Sequence, residues 1–340
     1  MNAAVWYGGK NIRVEKVPQP IPGPGEALVK VNAVGICGSD LHAYRGVSKR
    51  RTPPLIMGHE FAGVVEEISK GSTPTELLVG DRVTMIPAVP CGRCEQCRSG
   101  RMNLCRTRTH AGLDFPGAFA EYVKAPLESF YHIPDSISFE EAALVEPVSV
   151  GIHAVDLAGV KEMQDVLILG CGVIGLSCLI CARKKARRII VSDLIDFRLS
   201  CAKSYGADTA VNSSNQDIVE EVRKVTENRG VDAALEAVGL EKTIEEAILS
   251  VKEGGRVTVI GMLDETIRVN ILKIVLKEIQ LEGSYGRTDN EFRKAISTLE
   301  ADANELRRLI THRFPLRDVS RAFETLCDAN QNAIKVVLIP

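Results

Sequence analysis

Cys37-Gly38-Ser39-Asp40-Leu41-His42 is followed, after a basic loop, by Gly58-His59-Glu60, so a thiol, an imidazole and a carboxylate fall within one short span. Zn2+ accepts S, N and O donors, and a catalytic zinc site keeps one position open for water or substrate. Taken alone the stretch says little, because buried cysteine also serves as a small hydrophobe. A second cluster, Cys91-Gly92-Arg93-Cys94-Glu95-Gln96-Cys97 with Cys105 shortly after, offers four thiolates that can surround one tetrahedral zinc. All-cysteine sites of this kind are closed and structural. Disulfides are the main competing reading and an iron–sulfur cluster a lesser one. No basic recognition helix flanks the cysteines, which argues against a nucleic-acid finger.

The third constellation is Gly170-Cys171-Gly172-Val173-Ile174-Gly175, between an apolar strand and a helical run, with Asp193 closing the next strand. In that context Gly170 permits the tight turn, Gly172 lets the backbone approach a pyrophosphate, and Gly175 lets helix and strand pack closely. Val173 and Ile174 open the helix whose amides and partial positive charge face the phosphates. Asp193 stands where a carboxylate accepts hydrogen bonds from a ribose 2'-hydroxyl and repels a 2'-phosphate, favouring NAD over NADP. Arg198 is a candidate for the adenosine end, with a solvated helix arginine as the alternative. Glycines used only for packing are the competing explanation of the turn.

These groups need scaffolds, and the chain has two textures. Up to about residue 150 it shows short alternating runs, such as Ala27–Val31, Gly63–Ile68 and Arg82–Ile86, broken by Gly and Pro, which predicts a β-rich barrel or sandwich. Beyond that point apolar runs at Asp165–Leu169, Arg188–Asp193, Ala207–Val211, Val231–Glu236, Arg256–Ile260 and Ile279–Gly283 alternate with helical segments. That pattern predicts a doubly wound parallel sheet. After about residue 287 two helical stretches, Asn290–Glu300 and Leu316–Ala329, precede a last strand, Ile334–Ile339. A length of 340 residues suits two domains. The net charge of -2 gives no reason to expect nucleic acid. No long apolar run predicts a membrane span, and Met1–Tyr7 does not read as a secretory signal. Ten cysteines without an export signal point to a reducing cytoplasm, where clustered thiols are metal ligands rather than disulfides.

In this order the three constellations resemble the zinc-containing medium-chain dehydrogenase/reductase family, over essentially the whole chain. Glu146-Pro147-Val148-Ser149-Val150-Gly151-Ile152-His153-Ala154 and Thr311-His312-Arg313-Phe314 are most similar to the sorbitol and polyol dehydrogenases, with galactitol-1-phosphate dehydrogenase and sugar-acid dehydrogenases also similar. The resemblance implies a GroES-like β domain (residues 1–147 with the tail 287–340) and an inserted Rossmann NAD-binding domain (148–286). It implies two zinc ions per chain. Cys37 and His59 bind the catalytic ion, Glu60 is a ligand in polyol enzymes of this type, and Glu146 binds it directly, through water, or in exchange with Glu60. Cys91, Cys94, Cys97 and Cys105 hold the structural ion. Ser39 then accepts the substrate's hydroxyl proton, His42 carries it toward solvent, and Asp40 orients a zinc-binding imidazole.

The expected activity is hydride transfer from a secondary alcohol (a polyol, sugar acid or sugar phosphate) to NAD+, with zinc as Lewis acid. Threonine or a 2,3-butanediol-type diol is the runner-up substrate, and a nucleotide-binding structural or sensor protein the non-enzymatic alternative. A turn or cap at Ser39-Asp40 and a surface position for His42 compete with the relay. Lys49-Arg50-Arg51 and Arg287 are candidates for contact with a substrate anion, the run otherwise being a solvated loop. The family suggests a homodimer or homotetramer, no nucleic-acid or membrane partner, and a cytoplasmic location.

Overall fold

The computed structural model describes residues 1–47, 50–69 and 76–340, so Lys49 lies outside the described residues. The chain divides into two units: Met1–Glu146 with Thr288–Pro340, and Pro147–Arg287.

In the first unit the alternating runs pair into a seven-stranded sheet. Its order is Phe130–His132, Arg82–Met85, Glu60–Ile68, Glu26–Gly35, Lys335–Ile339 and Ile310–Pro315, with Tyr122–Pro126 also paired to Glu26–Gly35. All neighbours are antiparallel except the last two strands, which run parallel. Alternation sends one face of these strands into a core that includes Val29, Phe61, Val83, Phe119, Phe323 and Val336. The strand Ile310–Pro315 falls in a stretch with no strand expectation, because His312 and Arg313 break the apolar pattern. The helical stretch expected over Leu316–Ala329 is shorter, with its α-helix at Val319–Cys327.

In the second unit six strands form one parallel sheet in the order Thr209–Asn212, Arg188–Asp193, Asp165–Leu169, Val231–Glu236, Val251–Val259 and Gln280–Gly283. Numbered along the chain this is 3-2-1-4-5-6, the dinucleotide-binding order. Its central strand, Asp165–Leu169, is buried throughout, as a strand covered on both faces must be. The order reverses beside that strand, and the glycine turn leaves its carboxyl end at the reversal. The architecture is therefore a β-rich unit with an α/β unit of dinucleotide-binding order inserted into its sequence.

Candidate metal and nucleotide sites

Strand pairing assembles the first site. Gly35, two residues before Cys37, is the register partner of Glu60 in the antiparallel pair Glu26–Gly35 and Glu60–Ile68. Gly58 holds φ +90, a conformation that glycine adopts without strain, and the Phe119 ring fills the place a Cβ would take. His59 and Glu60 thus enter buried positions close to Cys37. One donor atom from each of Cys37, His59 and Glu60 lies within 4.8 Å of the other two.

Electrostatics at the trio suit a cation. Glu60 Oε2 meets Lys335 Nζ at 2.5 Å, and both side chains are 1% exposed. Lys335 also donates to the Ile36 carbonyl at 3.0 Å. The other oxygen, Glu60 Oε1, is buried and finds no hydrogen-bond donor among the described residues. A buried anionic oxygen without a donor is costly, and a metal ion beside the thiol and imidazole would satisfy it. Burial, then the Glu60 and Asp40 carboxylates, push the Cys37 thiol up to about 11. A bound cation reverses that effect, because a coordinated thiol loses its proton.

The neighbouring residues come from the short helix Gly38–Tyr44. Cys37 caps it: its sulfur accepts from the Ser39 amide at 3.5 Å, while Asp40 Oδ2 accepts from the Cys37 amide at 3.1 Å. The cap also aims the rest of Asp40, whose Oδ1 stands 3.7 Å from His59 Nδ1. Asp40 is thus a capping residue and a neighbour of the imidazole at once. Ser39 and His42 are half-buried on the same helix. Burial, with the charges of Arg45 and Arg51, holds His42 below its ordinary value, which keeps it neutral and able to take a proton. Glu146 is buried, yet its carboxylate stands outside the Cys37, His59 and Glu60 trio.

The four cysteines converge as a second group, with Cys94 and Cys97 sulfurs 3.5 Å apart and Cys91 and Cys97 sulfurs 4.0 Å apart. None of the ten cysteines forms a disulfide. Backbone amides of Arg93 and Cys94 hold Cys91 down to about 6, whereas burial and the adjacent thiols push Cys97 up to about 12. Crowded sulfurs resist carrying several negative charges together unless a cation sits among them, and the donor set is the one tetrahedral zinc prefers. His153 and His312 belong to neither group.

At the nucleotide turn, Gly170 adopts φ +90, and a Cβ on Gly175 would collide with the Gly170 carbonyl. Only glycine lets the helix Val173–Ala182 start so close to the strand. That helix has Gly172 at its N-cap and no side-chain cap, so the amides near Val173 and Ile174 remain available to an anion. Asp193 is fixed by two backbone donors, Cys171 N at 2.7 Å and Ile195 N at 3.0 Å. Arg198 approaches it at 3.9 Å.

Residues 23–135 match the alcohol dehydrogenase GroES-like domain, and residues 173–301 match the zinc-binding dehydrogenase domain. Sorbitol dehydrogenase of Bacillus subtilis (strain 168) is 38% identical over 350 residues, spanning 100% of this chain and 97% of its own. The chain belongs to the zinc-type medium-chain dehydrogenase/reductase family. L-idonate 5-dehydrogenase of Vitis vinifera is 37% identical, across 99% of this chain and 94% of its own. A zinc-binding dehydrogenase of Sinorhizobium meliloti 1021, solved bound to NADP, superposes with a TM-score of 0.90 at 35% identity, covering 100% of this chain and 99% of that one. As a member of this dehydrogenase family, the protein is an NAD(P)-dependent oxidoreductase acting on hydroxylated small molecules. No described helix is long and apolar enough to cross a membrane.

Two further residues stand at the candidate metal site without any expectation from the sequence. Lys335 carries one clue, a lysine inside the apolar run Ile334–Ile339. His110 has its ring centroid 5.1 Å from that of His59, and nothing local marked it. Arg51, expected either in a solvated loop or against a substrate anion, and Arg287, a second candidate for such an anion, are both buried. Arg51 is bonded to Ser39, Asp40 and Gly112, and Arg287 donates to Ser149 Oγ at 3.2 Å.

Proposed function

We propose that the protein oxidises a secondary alcohol of a polyol or sugar acid to the ketone, with NAD+ taking the hydride, at a zinc ion held by Cys37, His59 and Glu60. The observation that carries this reading is the buried, donor-less Glu60 Oε1 beside the Cys37 thiol and the His59 ring. Zinc bound there supplies Lewis acidity that lowers the pKa of the substrate hydroxyl, and the nicotinamide supplies the hydride acceptor. Ser39 receives the hydroxyl proton, and neutral His42 passes it to solvent. Asp40, whose Oδ1 stands 3.7 Å from His59 Nδ1, would fix the ring once the two close to hydrogen-bond distance, leaving Nε2 for the metal. Glu146 acts as an outer carboxylate of the same site. Cys91, Cys94, Cys97 and Cys105 hold a second, closed zinc without a part in the chemistry.

Sorbitol and L-idonate, the substrates in the relatives' names, share a run of hydroxyls next to a secondary alcohol, which supports the polyol or sugar-acid class. Gly170, Gly172, Val173, Ile174 and Gly175 cradle the pyrophosphate, and Arg198 reaches the adenosine end. The fixed Asp193 carboxylate favours NAD, since a 2'-phosphate placed against it is repelled.

The chain forms a homodimer in this reading. The outer edge of Gln280–Gly283 pairs with no strand among the described residues, and Leu272, Val275 and Leu276 of the helix Ile271–Leu276 are 60–70% exposed beside it. Two copies related by a two-fold axis pair such edges antiparallel and cover such a face. Light scattering should give twice the mass of the chain, and Leu276→Glu should halve it.

The deciding assay follows NAD+ and NADP+ reduction over polyols, sugar acids and sugar phosphates, with metal analysis alongside. Activity on polyols or sugar acids, about two zinc per chain, and loss of activity in Cys37→Ala are expected. Full activity in Cys37→Ala would sink the zinc mechanism.

A further inference from the structure

We propose that Arg51 is a positioning residue: its guanidinium clamps the helix Gly38–Tyr44 to the turn at Gly112 and thereby aims the Ser39 hydroxyl and the Asp40 carboxylate. The inference rests on the reaction proposed above. Arg51 is 8% exposed, and all three of its side-chain nitrogens are engaged. Nε donates to the Gly112 carbonyl at 2.9 Å, and one terminal nitrogen donates to the Ser39 carbonyl at 2.7 Å. The other terminal nitrogen donates to Asp40 Oδ1 at 2.9 Å and to Ser39 Oγ at 3.2 Å. A substrate anion would have to break this set to reach the charge, so the buried geometry disfavours a substrate role for this arginine.

Each bond has a consequence for the chemistry. A serine hydroxyl has two lone pairs and one hydrogen. With one lone pair taken by Arg51, Ser39 keeps the other to accept the substrate's proton and its hydrogen for the onward step. The relay therefore has a direction, which a freely rotating hydroxyl would lack. Asp40 Oδ1 lies between Arg51 and His59 Nδ1, and Oδ2 is tied to the Cys37 amide, so the arginine completes the set that orients the carboxylate. The third anchor, Gly112, sits two residues after His110, whose ring packs edge-on against His59. Planarity matters here. A guanidinium forks to acceptors on three sides, whereas an ammonium concentrates its donors on one atom and cannot span them.

The test compares wild-type zinc-loaded protein with Arg51→Lys, Arg51→Met, Asp40→Asn and the double variant Arg51→Met/Asp40→Asn. Zinc transfer to a coloured chelator is followed beside steady-state kinetics. Arg51→Met should release zinc about 10- to 100-fold faster, as losses of a ligand's supporting partner do. That acceleration should shrink in the Asp40→Asn background, because the arginine acts through the carboxylate. Arg51→Lys keeps the charge beside Asp40 and should stay folded by near-ultraviolet circular dichroism. It should lower kcat about tenfold or more while leaving KM for NAD+ unchanged. Wild-type zinc release in Arg51→Met together with wild-type kcat in Arg51→Lys would overturn the clamp. So would a raised KM for an anionic substrate with kcat and zinc release untouched, which would make Arg51 a substrate contact. Faster zinc release from a protein that oxidises no alcohol would support the clamp and defeat the dehydrogenase reading instead.

Discussion

Replacing Lys335 by methionine keeps most of the side-chain volume and removes the ammonium that faces Glu60 at 2.5 Å. Both partners are 1% exposed, so solvent cannot take over the role of the lost charge. Breaking a buried pair by removing one partner costs about 3–5 kcal/mol, because the remaining charge is left uncompensated. That range applies to the metal-free protein. With zinc bound, the ion supplies opposite charge to the same carboxylate; taking over about half of the lost compensation, it should shrink the loss by about 2 kcal/mol. By the thermodynamic cycle, folded Lys335→Met then binds zinc about 30-fold more tightly than wild type. The assay is urea denaturation of metal-free and zinc-loaded protein. It is read by the fluorescence of Trp6, the chain's single tryptophan, which is 3% exposed in the first unit and reports that unit's transition. Chelator competition gives the affinity independently. An equal stability loss in the two forms would refute the reasoning, since it would mean that the metal does not share Glu60 with Lys335.

Asp193→Ser should lower kcat/KM for NAD+ and raise it for NADP+, moving the ratio by at least tenfold, about 1.4 kcal/mol; an unchanged ratio in coenzyme kinetics would clear Asp193 of that role. Cys97→Ser should reduce bound zinc from about two to about one per chain in elemental analysis, while nucleotide binding measured by calorimetry persists. Burial alone would raise the Asp232 carboxyl, but Lys252 at 2.6 Å, the Asp165 amide and Arg229 together hold it below its ordinary value. A depressed carboxyl contributes stability above its unfolded value and loses it as pH falls through the folded one. The melting-temperature advantage of wild type over Asp232→Asn, present at about pH 6, should therefore vanish as pH falls below about 4 in calorimetry.

Local pattern carried much of this molecule. Alternation located the strands containing Val29, Val65 and Val83, and the spacing of Gly170, Gly172 and Gly175 between strand and helix fits the Rossmann order that the sheet adopts. Cys37, His59 and Glu60 stood out by residue type, and register brings them together. What escaped the sequence depends on partners far along the chain. Lys335 meets Glu60 across a separation of 275 residues, which no window of sequence contains. Arg51 resembled a solvated cation because its neighbours are Lys49 and Arg50. Burial distinguishes it, and burial follows from the fold around Gly112. The strand Ile310–Pro315 was hidden by its own polar residues, His312 and Arg313, which are tolerated because among the described residues that strand pairs along one edge only, with Lys335–Ile339.

Ribosomes make this protein in an order that its architecture does not follow. Cys37, His59 and Glu60 emerge early, the inserted unit Pro147–Arg287 comes next, and the strand Lys335–Ile339 follows after that. Until that strand arrives, the edge of Glu26–Gly35 near Val34 and Gly35 lies open, and the carboxylate that Lys335 will neutralise has no counter-charge. A chain arrested before residue 335 would carry every proposed zinc ligand and still present an unpaired strand edge, the feature that invites aggregation. The candidate metal site is thereby completed late in synthesis, when the strand bearing Lys335 pairs with Glu26–Gly35 and brings the ammonium to Glu60.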